Sequence, residues 1–383
     1  MANITKRGNS YRIKVSCGYD SRGHQIVKSK TFKPDPGLTP RQTEKALNLF
    51  AMEFEQKVLS GYYCDSSLRL EVYCETYLEI KKGKLSPITY QQYKRVINKH
   101  IIPQLGHLKL TEIKPFHIQN FIAYLENHGE ISASTVKRYF TTLKSIFALA
   151  FKQGIIEINP TDTRRVELPQ QEEPETEIFT KEETAHMLDC LEDEPLQFRL
   201  LIHLALVTGC RRGELVALQW DSVDFKSGKI AIKQSAYKVA GEEISLKSPK
   251  TKKSVRTVAV PSYIIDMLKR HKTEQSKEML KLGSLWQRDN FVFTQWNGKM
   301  MYPTTPTLLF SRFLDKNNLP HRKFHALRHT SATLLLASGT DIKTVGNRLG
   351  HTQLSTTNRY VHALASADEQ AADTFESMFV KQA

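Results

Sequence analysis

The chain has 383 residues and a formal net charge of +15, which predicts two or three domains and a polyanionic partner, since like charges in that excess otherwise oppose compactness. It has no run of about 18 apolar residues and no apolar signal core within residues 1–14, which argues against a membrane span and a secretion signal. Five cysteines, Cys17, Cys64, Cys74, Cys190 and Cys210, are scattered without a C-x-x-C pair, so a reducing cytoplasm is expected and neither a disulfide frame nor a zinc site is.

Residues 1–35 predict a small antiparallel sheet. SYRIKVSCGYD alternates around Tyr11, Ile13 and Val15, Asp20-Ser21-Arg22-Gly23 supplies a turn, and HQIVKSKTF resumes the strand pattern. Arg12, Lys14 and Lys28 belong to a basic set opposed only by Asp20 and Asp35, and a basic ribbon of this kind suits a DNA groove. Thr39-Pro40-Arg41-Gln42 then reads as an N-cap, a first-turn proline and a capping-box glutamine. The helix they open runs to about Leu59 with Leu47, Phe50, Phe54 and Val58 on one face, and residues 60–66 form a tether.

From about Leu68 to Thr161 the pattern is helical. Leu70, Tyr73, Tyr77 and Ile80 mark one face, Ser86-Pro87 caps a second helix, and a turn is expected from Pro103 to Gly106. Pro115 opens a third helix through Ile118, Phe121, Ile122 and Leu125. Ser134 starts a fourth, with Val136, Phe140, Leu143, Phe147 and Phe151 on its apolar face. Lys94, Arg95, Lys137 and Arg138 offer sequence-independent phosphate contacts. Residues 163–177, containing VELPQQEEPETE, are acidic, proline-bearing and poor in bulky apolar groups, which predicts an extended linker.

Thr180-Lys181-Glu182-Glu183 is a second capping box, ahead of helices through Met187, Leu188 and Leu191 and from Leu200 to Thr208. Gly209 and Gly213 bracket Arg211 at a turn. GKIAIKQSAYK, GEEISLK and SVRTVAVP predict three strands, with Lys250 on the turn between the second and third. A helix over 261–282 and a short strand over 291–294 follow. Then come the HALRH helix, a stop at Ser338-Gly339 and helices over 341–349 and 355–361. The tail SADEQAADTFESMFVKQA sets Ala371, Phe375, Met378 and Phe379 at helical spacing.

The chemistry is concentrated in TGCRRGEL at 208–215, HALRH at 325–329, LGH at 349–351 and the Tyr360 segment TTNRYVH. Arginine stays charged and can bind two oxygens of one phosphate, which makes Arg211 and Arg328 candidates for a phosphodiester clamp. A phenol, with a pKa near 10, is only about one part in a thousand ionised at neutral pH, so Tyr360 needs a base or strong local positive charge to attack. His325 is the candidate base, and a lysine depressed by neighbouring cations could protonate the leaving oxygen. His325 and His329 stand at i and i+4, as a metal-binding pair would. No cysteine or carboxylate falls at matching spacing and Arg328 lies between them, so no metal is expected.

The pieces TGCRRGELVALQW, KSPKTKKSVRTVAVP, HALRHTSATLLLASG, LGH and TTNRYVH, in this order over roughly residues 175–365, resemble the tyrosine recombinase, or phage integrase, family. The resemblance implies a multidomain α+β chain. It would comprise an arm-type DNA-binding domain at 1–62 (three-stranded sheet plus helix), a helical SAM-like core-binding domain at 66–162 and the 163–177 linker. A mainly helical catalytic domain with a small antiparallel sheet and a C-terminal tail would fill 178–383. It further implies DNA cleavage and rejoining through a 3′-phosphotyrosyl intermediate without cofactor. Arg211 and Arg328 would be clamps, Lys250 the general acid, His325 the base, His351 a phosphate hydrogen-bonder, Tyr360 the nucleophile and Glu214 a buttress. Arg212 competes with Arg211, and Lys247, Lys252 and Lys253 with Lys250. The implied partners are double-stranded DNA at core and arm sites, further copies of the chain forming a tetramer through the tail, and an excisionase, in the bacterial cytoplasm. Two other readings use the same residues. One is a regulator without chemistry, built on a helix-turn-helix from Arg328 to Leu349. The other is an enzyme resembling a type IB topoisomerase.

Overall fold

A central strand, β2 (Ser10–Tyr19), pairs antiparallel with β1 (Asn3–Arg7) and β3 (Gln25–Phe32). Its alternation buries Ile13 and Val15 against Leu47, Ala51, Phe54 and Val58 of α1 (Pro40–Leu59), a helix opened by reciprocal hydrogen bonds between Thr39 and Gln42. The computed structural model describes residues 2–19, 23–59, 68–127, 131–170, 177–239, 241–247, 255–351, 357 and 360. By contacts the chain divides into two units, Met1–Glu172 and Glu173–Ala383.

The rest of the first unit is helical, with α2 (Leu70–Lys81), α3 (Pro87–Val96), α4 (Ile102–Leu105), α5 (Pro115–Asn127) and α6 (Ala133–Lys152) around one core. Two buried tyrosines of α2 find partners for their hydroxyls. Tyr73 donates to Gln153 and Tyr77 meets Ser145, both at 2.7 Å, which lets large rings fill the core without stranding a polar atom. The turn expected from Pro103 to Gly106 is instead helix. A π-helical turn over Ile97–Ile101 leads from α3 into α4, because the proline ring cannot accept an ordinary α-helical ladder at that point and a widened turn accommodates it. On α6 the buried face is Val136, Phe140, Leu143, Ile146, Phe147 and Ala150. Phe151, expected on it, falls one position past the stripe and is exposed. The start of the expected linker also packs, since Val166 joins this core and the Glu167 backbone bonds to Gln119.

In the second unit a capping box between Thr180 and Glu183 opens α7 (Lys181–Cys190). It is followed by α8 (Leu196–Thr208), α9 (Arg212–Val216), α10 (Ser262–Leu282), α11 (Thr305–Lys316), α12 (Ala326–Ala337) and α13 (Ile342–Leu349). The strands form two small sheets in place of one three-stranded ladder. In the first, β4 (Val223–Asp224), β5 (Lys229–Ile232) and β8 (Arg256–Ala259) pair antiparallel. In the second, β6 (Ser235–Lys238) pairs with β7 (Ile244–Lys247). The stretch GKIAIKQSAYK therefore breaks at Lys233-Gln234, where the Gln234 amide donates to Ala217 O and Gln219 Oε1 and turns the chain away. Residues 291–294 make only single bridges, from Phe291 to Gln219 and from Thr294 to Met300. All four are buried, so the segment is a core plug with no long neighbour to pair with. Among the described residues no helix is long and apolar enough to cross a membrane, and Cys17, Cys74, Cys190 and Cys210 are free thiols.

Candidate active site

The first wall of the site is the turn between α8 and α9. Gly209 ends α8 at φ 60°, a left-handed turn that favours glycine, and a Cβ there would stand 2.2 Å from Leu349 Cδ2 and displace that side chain of α13. The turn sets Arg211 extended at the start of α9. Its backbone N–H donates to Glu214 Oε2 and its Nη1 to Glu214 Oε1, both at 2.9 Å. Arg212 is committed elsewhere, donating to Thr307 Oγ1 at 2.6 Å. Glu214 serves a second arginine as well. Arg256 of β8, itself buried, donates from Nη2 to Glu214 Oε2 at 2.8 Å and from Nε to the Arg348 carbonyl at 2.7 Å. Burial by itself would raise the Glu214 pKa. The hydrogen bond and charge of Arg256, with help from Arg211, overcome that and hold it below the usual 4.5.

The second wall is α12. Arg328 is 2 % exposed, and its Nη1 donates to the Gly209 carbonyl at 2.6 Å. Its Nη2 is buried without a hydrogen-bond partner among the described residues, which marks a donor suited to an incoming anion. Burial, then the nearby Arg211, pushes the Arg328 pKa down to about 10, so the group remains charged at neutral pH. His325 sits at the N-terminal boundary of the same helix with its residue surface exposed. Partial desolvation, then Arg328 and Arg211, lowers its pKa below 6.5.

The third wall follows α13, which Gly350 ends in the left-handed region at φ 71°. His351 comes next. Its Nδ1 meets Thr357 Oγ1 at 2.9 Å, and its ring lies parallel to that of Tyr360, 6.1 Å away. Burial, then the charges of Arg328, Arg211 and Arg256, pushes His351 down to about 4, so it is neutral at pH 7 and acts as a hydrogen-bonding group without charge. Tyr360 is 3 % exposed, and its hydroxyl lies 3.0 Å from His329 Nδ1. Of the helix expected over 355–361, Thr357 and Tyr360 are described and both are helical. Lys250 and the tail from 361 onward lie outside the described residues.

Arg211, Glu214, His325, Arg328, His351 and Tyr360 thus come from four separate stretches to one pocket. Two further members, His329 and Arg256, are not marked as such by any motif. In the sequence His329 reads only as half of a metal pair, and its signal is the i+4 spacing that puts it one turn from His325. Arg256 is hidden in the run KSPKTKKSVRT, where it is one cation among several. Its signal is its place on an alternating strand, which turns it inward.

The expected DNA-contacting residues divide. Arg12 and Lys14 share the sheet face opposite Ile13 and Val15, whereas Lys28 pairs directly across from Val15 and so stands on the α1 side. Lys94 and Arg95 are exposed on the last turn of α3. His100 stacks on Tyr139 at 4.5 Å and Arg138 lies over the Tyr139 ring, which brings that end of α3 to the start of α6 and its Lys137 and Arg138. Partial burial, then Arg95 and Lys99, lowers the His100 pKa.

Residues 177–367 match the phage integrase family, and residues 70–126 match the phage integrase N-terminal SAM-like domain. A tyrosine recombinase XerC-like protein of Caldanaerobacter subterraneus subsp. tengcongensis is 31 % identical, with 99 % of each chain covered. The ICEBs1 integrase of Bacillus subtilis is 26 % identical over 96 % of this chain and 97 % of its own. Among solved structures, the Tn1549 transposon integrase in complex with a circular intermediate DNA superposes with a TM-score of 0.67 at 20 % identity, covering 81 % of this chain and 99 % of that one. The fold is that of the integrases, and the class is a site-specific DNA recombinase. The chain belongs to the tyrosine recombinase, or phage integrase, family and is an enzyme of it.

Proposed function

We propose that this recombinase cuts and rejoins DNA strands through a 3′-phosphotyrosyl intermediate at Tyr360, and that it serves the integration and excision of a mobile element. The observation that carries the mechanism is the buried Arg328 guanidinium, with one donor unpartnered among the described residues, in a pocket shared with Arg211, His351 and the Tyr360 hydroxyl. A phosphodiester brings the missing acceptors. Arg211 and Arg328 clamp its non-bridging oxygens, Glu214 holds Arg211 in place, and His351 donates from Nε2 when Thr357 occupies its Nδ1. His325 serves as a proton shuttle, and Lys250 is assigned to protonate the leaving 5′ oxygen. The mobile-element role is supported by the relatives, an ICEBs1 integrase and a transposon integrase held on circular intermediate DNA.

In the same reading, residues 1–62 form an arm-binding domain and 66–162 a core-binding domain, joined through 163–177 to the catalytic domain at 178–383. Four copies assemble on paired DNA sites, with the tail of each docking on a neighbour, and an excisionase directs the reverse reaction. The test is a denaturing-gel shift with nicked duplexes drawn from the DNA flanking the gene. The parent is expected to give a covalent protein–DNA band and Tyr360→Phe none. A band that survives Tyr360→Phe would falsify the assignment.

A further inference from the structure

The imidazole that meets the reacting hydroxyl belongs to His329, one helical turn beyond His325 on α12. Its Nδ1 stands 3.0 Å from Tyr360 Oη, with the two rings 5.4 Å apart. The i, i+4 spacing puts His325 and His329 on one face of the helix, where their rings meet edge-on at 4.7 Å. His351 covers the phenol in parallel, with its own Nδ1 against Thr357. Tyr360 is almost fully shielded from water, so a solvent base has little access to its proton.

We propose that His329 is a further catalytic residue, which accepts the Tyr360 hydroxyl proton during cleavage and returns it on rejoining. The inference rests on Tyr360 being the nucleophile. In cleavage the Tyr360 Oη–P bond forms and the P–O5′ bond breaks. The phenolic proton passes from Oη to His329 Nδ1, and the departing O5′ takes a separate proton from the general acid. In rejoining, the 5′ hydroxyl attacks and gives its proton back to that acid. The Oη–P bond then breaks, and the imidazolium reprotonates Oη. For this the resting ring carries its hydrogen on Nε2, leaving Nδ1 as the acceptor. His325 is exposed and electrostatically tied to Arg211 and Arg328.

The test uses the full chain in single-turnover cleavage of a nicked duplex. His329→Ala is expected to cleave roughly 10²-fold slower at pH 7, in the range a positioned base contributes. His329→Asn, whose Oδ1 can stand where Nδ1 does, keeps the hydrogen bond but accepts no proton, so it is expected to be as slow. Among the described residues, the charged and titratable groups facing the pair are His325 and Arg328 on α12, Arg211 from the α8–α9 turn, Arg256 of β8 and His351 after α13. Arg328, pushed down to about 10, begins to titrate near pH 9.5 in parent and variants alike, and both histidines have lowered pKa values and are neutral above pH 7. An ordinary phenol is about a quarter ionised at pH 9.5 against about one part in a thousand at pH 7, so the gap between parent and variants is expected to narrow at least tenfold. With a sulfur at the bridging 5′ position, whose departure needs no proton, the defect should persist.

Cleavage within about threefold of the parent by His329→Ala, or full recovery in His329→Asn, would overturn the proposal. So would a gap unchanged by pH, or rescue by the bridging sulfur. Both variants are checked for thermal melting and DNA binding, and the smaller change in His329→Asn guards against loss of fold. If the nucleophile assignment itself fails, the parent gives no Tyr360-dependent adduct in the same assay, which separates that failure from failure of the His329 step.

Discussion

Glu214 ties together two arginines that differ in exposure. Arg211 opens onto the pocket with its side chain 46 % exposed, while Arg256 is 6 % exposed and anchors the carboxylate from behind. Removing one partner of a buried pair leaves the other uncompensated, at roughly 3–5 kcal/mol. Glu214→Gln is therefore expected to destabilise the second unit by about 3 kcal/mol at pH 7. All three tryptophans, Trp220, Trp286 and Trp296, lie in that unit, so their fluorescence in denaturant titrations reports it. Because the folded carboxyl titrates below its ordinary value, its contribution is full above about pH 4.5 and is lost as pH falls through the depressed value. The gap between parent and Glu214→Gln should shrink below pH 4.5, and an equal gap at pH 7 and pH 4 would contradict the shift. For Arg328→Ala the expected result is cleavage slower by 10² to 10³, or about 3 kcal/mol, with DNA binding nearly unchanged. Single-turnover rates beside gel-shift affinities measure both, and a rate within about threefold of the parent would remove Arg328 from the clamp.

At the scale of elements, the sequence was most legible where one residue type carries one mechanism. Thr39 with Gln42 and Thr180 with Glu183 cap their helices as the spacing requires. It was least legible where a local signal met a neighbour it could not name. Pro103 reads as a turn, yet α4 packs against α2 and α5 and the chain keeps helical direction through a π turn. Residues 228–238 read as one strand because apolar alternation continues across the break. The Gln234 hydrogen bonds that divide it reach Ala217 and Gln219, far away in the chain. The exposed cations at the α3–α6 junction are proposed to meet phosphates. Lys94→Ala with Arg95→Ala is expected to reduce the slope of log K against log salt by about two, near one for each phosphate that is no longer neutralised. Affinities at several salt concentrations decide this, and an unchanged slope would remove both residues from the interface.

For the whole molecule, charge and assembly dominate. The excess of +15 suits sequence-independent attraction to DNA, but it is a solubility and encounter term that sets no geometry. Assembly is proposed to depend on the tail, whose Phe375, Met378 and Phe379 recur at helical spacing. Truncation after Ala365 is expected to leave single-site binding intact while abolishing the slower-migrating paired complex. Normal pairing by the truncated chain would refute the role of the tail.

The family and the residues Arg211, His325, Arg328, His351 and Tyr360 were legible in the chain alone, because they lie in short motifs whose spacing is local. Which imidazole touches the phenol and which arginine anchors Glu214 depend on tertiary packing. His325 and His329 are equivalent in composition and share a helix face, and only the approach of the Tyr360 segment distinguishes them. Arg256 meets Glu214 across 42 residues of chain. Pairings at that distance are set by how α9, β8 and α13 pack together, and no periodicity within a single segment encodes them.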